Sequence, residues 1–206
     1  MNRGQLRAEV ALRLRIPTTG DPLLDDVTLN DTIRAALIDV SAVTDWPWLL
    51  TSSSLTFTAG LGPLPSNCVK VRELMVNSVR AQAVGNAEYF DAIITPSYWV
   101  YTVLGNNIAL TPVPTAPASP TNVLWYIQTE PALTTDVQSP LIPEAHQQTL
   151  LARACYHAEV RRGRAEAASF HNAEYERGLS MMKDAGWRKT GPRQIRQANT
   201  TWFARW

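Results

Sequence analysis

Leu6, Val10 and Leu14 recur every fourth residue and predict a short first helix that Pro17 ends. Leu29, Ile33, Leu37 and Val40, with Ala36 between them, draw one face of a second helix. Thr28 and Asp31 give it a capping-box-like start, and it should stop before Pro47 in "DWPW". From Ser54 to about Thr134 the period shortens to that of strands. "SLTFT" and "VKVRELMV" read as strands, "YWVYTVLGNNIALTPV" as a hairpin turning at Gly105-Asn106-Asn107, and "NVLWYIQTE" as a further strand. Seven of the 14 prolines fall between 112 and 143, so "PVPTAPASP" is an extended loop. Helical spacing returns after Pro143. Leu151, Ala154, Cys155 and Ala158 share a narrow face, and Ala168, Tyr175, Leu179 and Met182 share another. Gly163 and Gly186 are placed to end these two helices, because glycine accepts the left-handed conformation of a C-terminal cap.

None of these four amphipathic faces can be buried alone. The pattern therefore predicts a mainly α chain with a β insertion (α+β): a four-helix bundle built from both chain ends, with a small antiparallel β segment between. The expected divisions are 1–50 for the N-terminal helices, 51–140 for the β-rich insertion, 141–186 for a C-terminal helical hairpin and 187–206 for an extended C-terminal arm. Trp46 and Trp48 are expected as plugs between bundle and β segment, and Trp99 and Trp125 as core residues of strands.

Composition adds little until charge is followed along the chain. Residues 1–140 carry 8 basic and 12 acidic groups, residues 141–206 carry 11 and 6, so the near-neutral total hides a basic C-terminal end. The acidic group Asp25, Asp26, Asp31 and Asp39 and the basic group Arg153, Arg161, Arg162 and Arg164 are candidate opposing surfaces between subunits. The arginines around Gly163 also suit a helix C-terminus, where cations complement the dipole, or a phosphate cluster. Cys68 and Cys155 are too few and too far apart for a disulfide framework or a metal spacing, which points to a reducing compartment. Neither a secretory leader nor a membrane span is expected from the sequence.

Enzyme signatures are missing: G-x-S-x-G, H-E-x-x-H and the Walker loop do not occur, and "GLGPLP" reads as a turn. His146, His157 and His171 have no accompanying ligand set and read as surface or packing histidines. The paired carboxylates Asp25/Asp26 and Glu174/Glu176 are sequence neighbours rather than two groups facing each other across a cleft. The expectation is no catalytic residue, no metal and no cofactor.

The last twenty residues, "WRKTGPRQIRQANTTWFARW", hold three tryptophans, one phenylalanine and five basic residues without an acid. Aromatics at 187, 202, 203 and 206 fit neither a strand alternation nor a helical face, so the segment reads as an arm that binds another molecule. Trp187, Arg188, Lys189, Arg193, Arg196, Trp202, Phe203, Arg205 and Trp206 are its candidate contacts.

The order of these features is similar to that of head-to-tail adaptor proteins of tailed bacteriophages. "LNDTIRAALIDVSAVTDWPWLL" resembles their second helix and following W-P-W-type turn, and "LPSNCVKVREL" their proline-led strand. The succession G-x-x-I-x-L-x-P, aromatic strand, P-x-L-T-x-D turn and I-P helix start in residues 105–147 is also similar. The resemblance covers residues 1 to about 185. It implies a structural ring, commonly dodecameric, under the portal of the virion. Such a ring extends the channel through which genomic DNA passes and joins the capsid to a stopper or tail protein. Portal, stopper or tail protein and further copies of the chain would be its partners, assembled in the host bacterial cytoplasm, with no membrane. The arm would then anchor the ring to the portal. The rival reading is a small nucleic-acid-binding protein in which the arm grips phosphate and stacks Trp202, Phe203 and Trp206 on bases. Against it, the rest of the chain is slightly acidic and its strands hold few basic residues to track a backbone.

Overall fold

The computed structural model describes residues 1–16, 21–91, 98–112 and 122–190. The chain divides into two compact units. One gathers residues 6–36 with those from Glu144 onward, and the other gathers Met1–Gln5 with Leu37–Pro143. The fold is α+β, with four long helices and two four-stranded sheets.

In the helical unit, α1 (Arg3–Arg13) and α2 (Asp26–Ala42) contribute the parts of their length that lie within residues 6–36, beside α4 (Gln147–Arg161) and α5 (Ala165–Thr190). All the apolar positions picked out by periodicity are buried: Leu6, Val10 and Leu14 on α1 and just beyond it, Leu29, Ile33, Ala36, Leu37 and Val40 on α2, and both stripes of α4 and α5. The start of α2 differs from expectation. Its cap is Asp25, whose Oδ1 accepts the Thr28 N–H at 2.8 Å, so the helix begins about a turn before a Thr28 cap would allow.

Gly163 closes α4 as expected. Its φ is +70°, its N–H donates to Val160 O at 3.0 Å, and Arg164 N–H donates to Glu159 O at 3.0 Å. Those are the two bonds of a Schellman motif. Gly186 behaves differently: α5 continues through it to Thr190. The first four residues of the expected extended arm, 187–190, are therefore helical, and residues 191–206 lie outside the described residues.

In the β-containing unit, β1 (Leu50–Ser54), β3 (Cys68–Val76), β4 (Val79–Arg80) and β8 (Val123–Gln128) form one sheet in the order β1-β8-β3-β4. The second sheet is β2 (Leu61–Pro63), β7 (Asn107–Thr111), β6 (Val100–Leu104) and β5 (Gln82–Ala83), in that order, and a short helix α3 (Asn86–Asp91) follows β5. The expected small antiparallel segment is thus two sheets, and the β5–β6 pair is parallel. The β6–β7 hairpin turns on two residues, Gly105 at φ +58° and Asn106, with Asn107 already paired to Leu104.

The sheets share one core of Leu74 and Val76, Leu124 and Tyr126, Ile108 and Leu110, and Tyr101. Period two along β8 turns Leu124 and Tyr126 inward and so turns Trp125 outward, 40% exposed. Trp125 is therefore no core residue, while Trp99 is half-buried against the core. Trp46 is buried, donates its indole N–H to Val40 O at 2.6 Å and stacks on Trp48 with ring centroids 4.6 Å apart. It adds a second donor to a carbonyl at the end of α2 that otherwise receives only the long 3.4 Å bond from the Val43 N–H.

Met1–Gln5 joins this unit through the "LTTDVQ" turn that the sequence singled out. Arg3 N–H donates to Gln138 O at 2.8 Å, Gly4 N–H to Asp136 O at 3.1 Å, and the Arg3 guanidinium holds Asp136 Oδ1 from two nitrogens at 2.9 and 2.7 Å. Asn2 and Gln5 complete a reciprocal capping box at 2.9 Å in each direction.

The α4–α5 crossing gives a test of packing. A Cβ on Gly178 would lie 3.1 Å from Thr149 Cβ and 3.0 Å from its Cγ2, with Oγ1 nearer still. Overpacking of this kind costs about 1–3 kcal/mol. Alanine regains up to about 1 kcal/mol over glycine as a helix former. Gly178→Ala is expected to lower the urea midpoint, and adding Thr149→Ala to restore most of it. An unchanged midpoint in the single variant would show that the crossing is loose.

Candidate interaction surfaces

The charged residues singled out by sequence fall into two groups once placed. The first is held inside the helical unit. Arg162 is 5% exposed and donates from Nη2 to Asp21 Oδ2 at 2.5 Å, from Nε to the same oxygen at 2.9 Å, and from Nη1 to Glu159 Oε1 and Leu14 O at 3.3 Å. Glu159 is itself 5% exposed. Arg162 is therefore no surface charge for a neighbouring subunit, which corrects that expectation. A guanidinium this deep needs anionic partners, and the chain end of α1, the segment before α2 and the last turn of α4 supply its acceptors.

The second group is exposed but largely paired within the chain. Asp26, 75% exposed, lies 3.5 Å from Arg7, and Asp31 lies 4.0 Å from Arg161. An acidic and a basic candidate thus sit side by side in one unit, so the two charge groups do not form separate opposing faces there. Arg164 is exposed and 3.9 Å from Glu159 Oε2. Arg153 is half-buried, hydrogen-bonded to Asn172 Oδ1 at 2.8 Å, and packed over the rings of Tyr156 and Tyr175 at 4.5 and 4.9 Å. Asp25 caps α2, and Asp39 belongs to the other unit. Of the arm candidates, Trp187, Arg188 and Lys189 stand on the last turn of α5. Arg193, Arg196, Trp202, Phe203, Arg205 and Trp206 lie outside the described residues.

Sequence reasoning missed Asp21 and Glu159. Glu159 carried a usable signal, three residues before Arg162 on one helix. Asp21 carried none, because its partner is 141 residues away. It also missed the surface of the β-containing unit. There Asp45 accepts from Lys70 at 2.8 Å and from Arg72 at 2.5 Å, bonds that hold its carboxyl below the usual range, the Lys70 hydrogen bond first among the causes. Asp45 also lines an apolar groove of about 530 Å³ together with Ile38, Val43, Leu49, Val69, Ile127 and Glu130. Burial pushes Glu130 up, opposed by the Leu141 N–H that donates to it at 2.5 Å.

Titration elsewhere is local. Burial raises the Cys155 thiol to about 12, so it behaves as a small core residue. His171 lies 3.2 Å from Glu174, one turn away. Among the described residues no cluster of three or more His, Cys, Asp or Glu is placed to hold a metal ion, and no helix is long and apolar enough to cross a membrane.

The buried cation makes two predictions. Arg162→Ala leaves the buried Glu159 only the exposed Arg164 at 3.9 Å for compensation, and breaking a buried pair costs about 3–5 kcal/mol. Chemical denaturation is expected to show that loss. An effect like that of a surface change, within about 0.5 kcal/mol, would mean the network is solvated. The Asp21 carboxyl is lowered by the Leu23 N–H, then by Arg162. A lowered folded pKa stabilises the native state above the unfolded value of about 3.9. That contribution fades as pH falls through the folded value. Stability measured against pH should therefore fall below about pH 4, and Asp21→Asn should flatten that limb.

A comparison with curated proteins gave no match. A family match covers almost the whole chain, from the capping box of α1 through both sheets and the α4–α5 hairpin, and takes in part of the basic aromatic segment. Over residues 1–199 the chain matches the SU10 adaptor protein family, and it belongs to that family of phage head-to-tail adaptors.

Proposed function

We propose that the chain is one subunit of a homo-oligomeric ring, dodecameric as the adaptor resemblance implies, seated beneath the portal of a tailed phage. The ring extends the DNA channel, takes part in DNA ejection and joins the capsid to a stopper or tail protein. The observation that carries this reading is the family match over residues 1–199. The helical unit, drawn from both ends of the chain, acts as a four-helix bundle that forms the body of each subunit. Its role is structural, and purified protein is expected to show no turnover of peptidoglycan or nucleic acid above background.

Within this reading, residues 187–206 anchor the ring. Aromatic side chains bury favourably in a partner groove, five basic groups suit an acidic portal surface, and many arms engaged at once multiply a weak individual contact. A ring also needs a heterologous contact that closes on itself. The exposed charges that can serve it are Asp25, which caps α2, and Asp26, Arg164, Arg161 and Asp31, each of which contributes only if its pairing within the chain opens.

The test is imaging of purified portal mixed with full-length chain or with a chain lacking residues 191–206. Full-length protein is expected to add a ring on the portal axis, and the truncated chain to fold normally and add none. Docking by the truncated chain would remove the arm from the mechanism. Loss of nucleic-acid binding alone, with a steep salt dependence, would favour the phosphate-gripping reading instead.

A further inference from the structure

Among the described residues the two sheets end on four edge strands, and three of these are blunted. β4 and β5 are two residues long, and β2 has three residues of which one is Pro63. The fourth, β1, is five residues of "LTSSS" with no charge and no proline. Natural proteins protect edge strands by shortening them, charging them or placing proline on them, because an open row of N–H and C=O groups templates another strand. β1 carries none of these protections.

The register shows which groups are open. β1 pairs antiparallel with β8, Leu50 opposite Ile127 through Ser54 opposite Val123, and the same register continues to Leu55, whose N–H donates to Asn122 O at 3.0 Å. Backbone groups alternate sides along a strand. Thr51 and Ser53 therefore turn their amides to β8 as Leu55 does, and Ser52 and Ser54 turn theirs to the open side. Both serines are exposed, and among the described residues no backbone group pairs with either open amide. On the outer face Ser52 stands opposite Trp125 and Leu50 opposite Ile127, with Trp125 40% and Leu50 44% exposed.

We propose that β1 accepts an added β-strand from a different protein of the neck, an extended uncharged segment whose alternate apolar side chains continue the Leu50–Trp125 surface. The identity of the partner as a neck protein rests on the adaptor reading above. A second copy of the chain is the poorer occupant on two grounds. Its other edge strands are too short or proline-broken to build a five-residue ladder, and the part of β3 that β4 leaves uncovered carries Lys70, Arg72 and Glu73 and is broken by two register shifts. Pairing β1 with β1 would make a two-fold dimer, and an isologous contact closes at two subunits instead of propagating round a ring.

The experiment is amide hydrogen exchange on the full chain, free and within neck complexes isolated from particles, together with the edge variants Ser52→Pro and Ser52→Lys. Proline at an open-side position leaves the β8 ladder intact and blocks an incoming strand. In the complex, Ser52 and Ser54 are expected to exchange on the order of tenfold more slowly than in the free chain. Both variants are expected to keep the wild-type unfolding midpoint and to enter complexes on the order of tenfold less well. If Ser52→Pro disturbs folding, Ser52→Lys and the wild-type exchange data decide. Unprotected Ser52 and Ser54 in a complex that contains the chain would overturn the proposal and leave the adaptor reading standing. A wild-type chain missing from the complex would overturn both. Protection that rises with concentration in the free chain would make a second copy the occupant and overturn the proposal as stated.

Discussion

A guanidinium with one-twentieth of its side chain exposed has lost most of its hydration, and the helical unit is arranged around replacing it. Arg162 takes Asp21 from the segment before α2, Glu159 from its own helix and the Leu14 carbonyl from the end of α1. The end of α1 and the segment before α2 are thereby fixed to the end of α4, 148 and 141 residues further along the chain. Its position is set in turn by the Schellman turn, which ends α4 at Gly163 and leaves Arg162 as the C-terminal cap residue. Replacing the network by apolar groups of equal volume need not destabilise such a core. What the ions supply is discrimination, because a shifted arrangement of these stretches would leave a buried charge unpaired.

The β-containing unit solves a different problem with little charge. Its two sheets bury one face each against the other, so every inward residue fixes the direction of its neighbours. Leu124 and Tyr126 inward means Trp125 outward, and Ser52 opposite it is too small to cover the ring. The same alternation that builds the core therefore leaves an aromatic group and two open amides at the β1 side of the outer face. The ion pairs of this unit, Asp45 with Lys70 and Arg72, lie elsewhere on its surface, beside the groove.

Local periodicity made the four long helices legible, along with every apolar position assigned to them, since 3.6-residue spacing needs only the sequence to be seen. The β6–β7 hairpin was legible for a similar reason: Gly105 supplies the positive φ of a two-residue turn. The errors have physical causes. Thr28 looked like a cap because it precedes the apolar stripe, but Asp25 accepts the N–H of Thr28 itself and starts the helix about a turn earlier. Gly186 looked like a stop, yet glycine only permits a helix to end. Trp125 looked like core because hydrophobicity was weighed without facing, and facing is decided by a register that sequence alone does not contain. The short strands β2, β4 and β5 have too few residues to show any period. Of the candidate surface charges, sequence found the residues but not their partners, and Arg162 changed from interface to interior once Asp21 was seen beside it.

Charges already paired within a chain have little left to offer a partner. Arg162 is saturated, Asp31 and Arg161 sit together, and Arg153 is held by Asn172 and two aromatic rings. Adding a rim charge to such a surface steers encounter more than it strengthens the complex. Groups with unmet needs are a better guide to where a neck protein is gripped. On the described surface these include the β1 edge, with directional backbone donors, and the exposed Trp125 beside it, with apolar area. Backbone pairing is indifferent to side-chain identity and gives affinity, while the pockets and shelves met by alternate side chains give specificity. A subunit that pairs these charges within its own fold and leaves a strand edge bare is suited to being held by backbone geometry more than by charge.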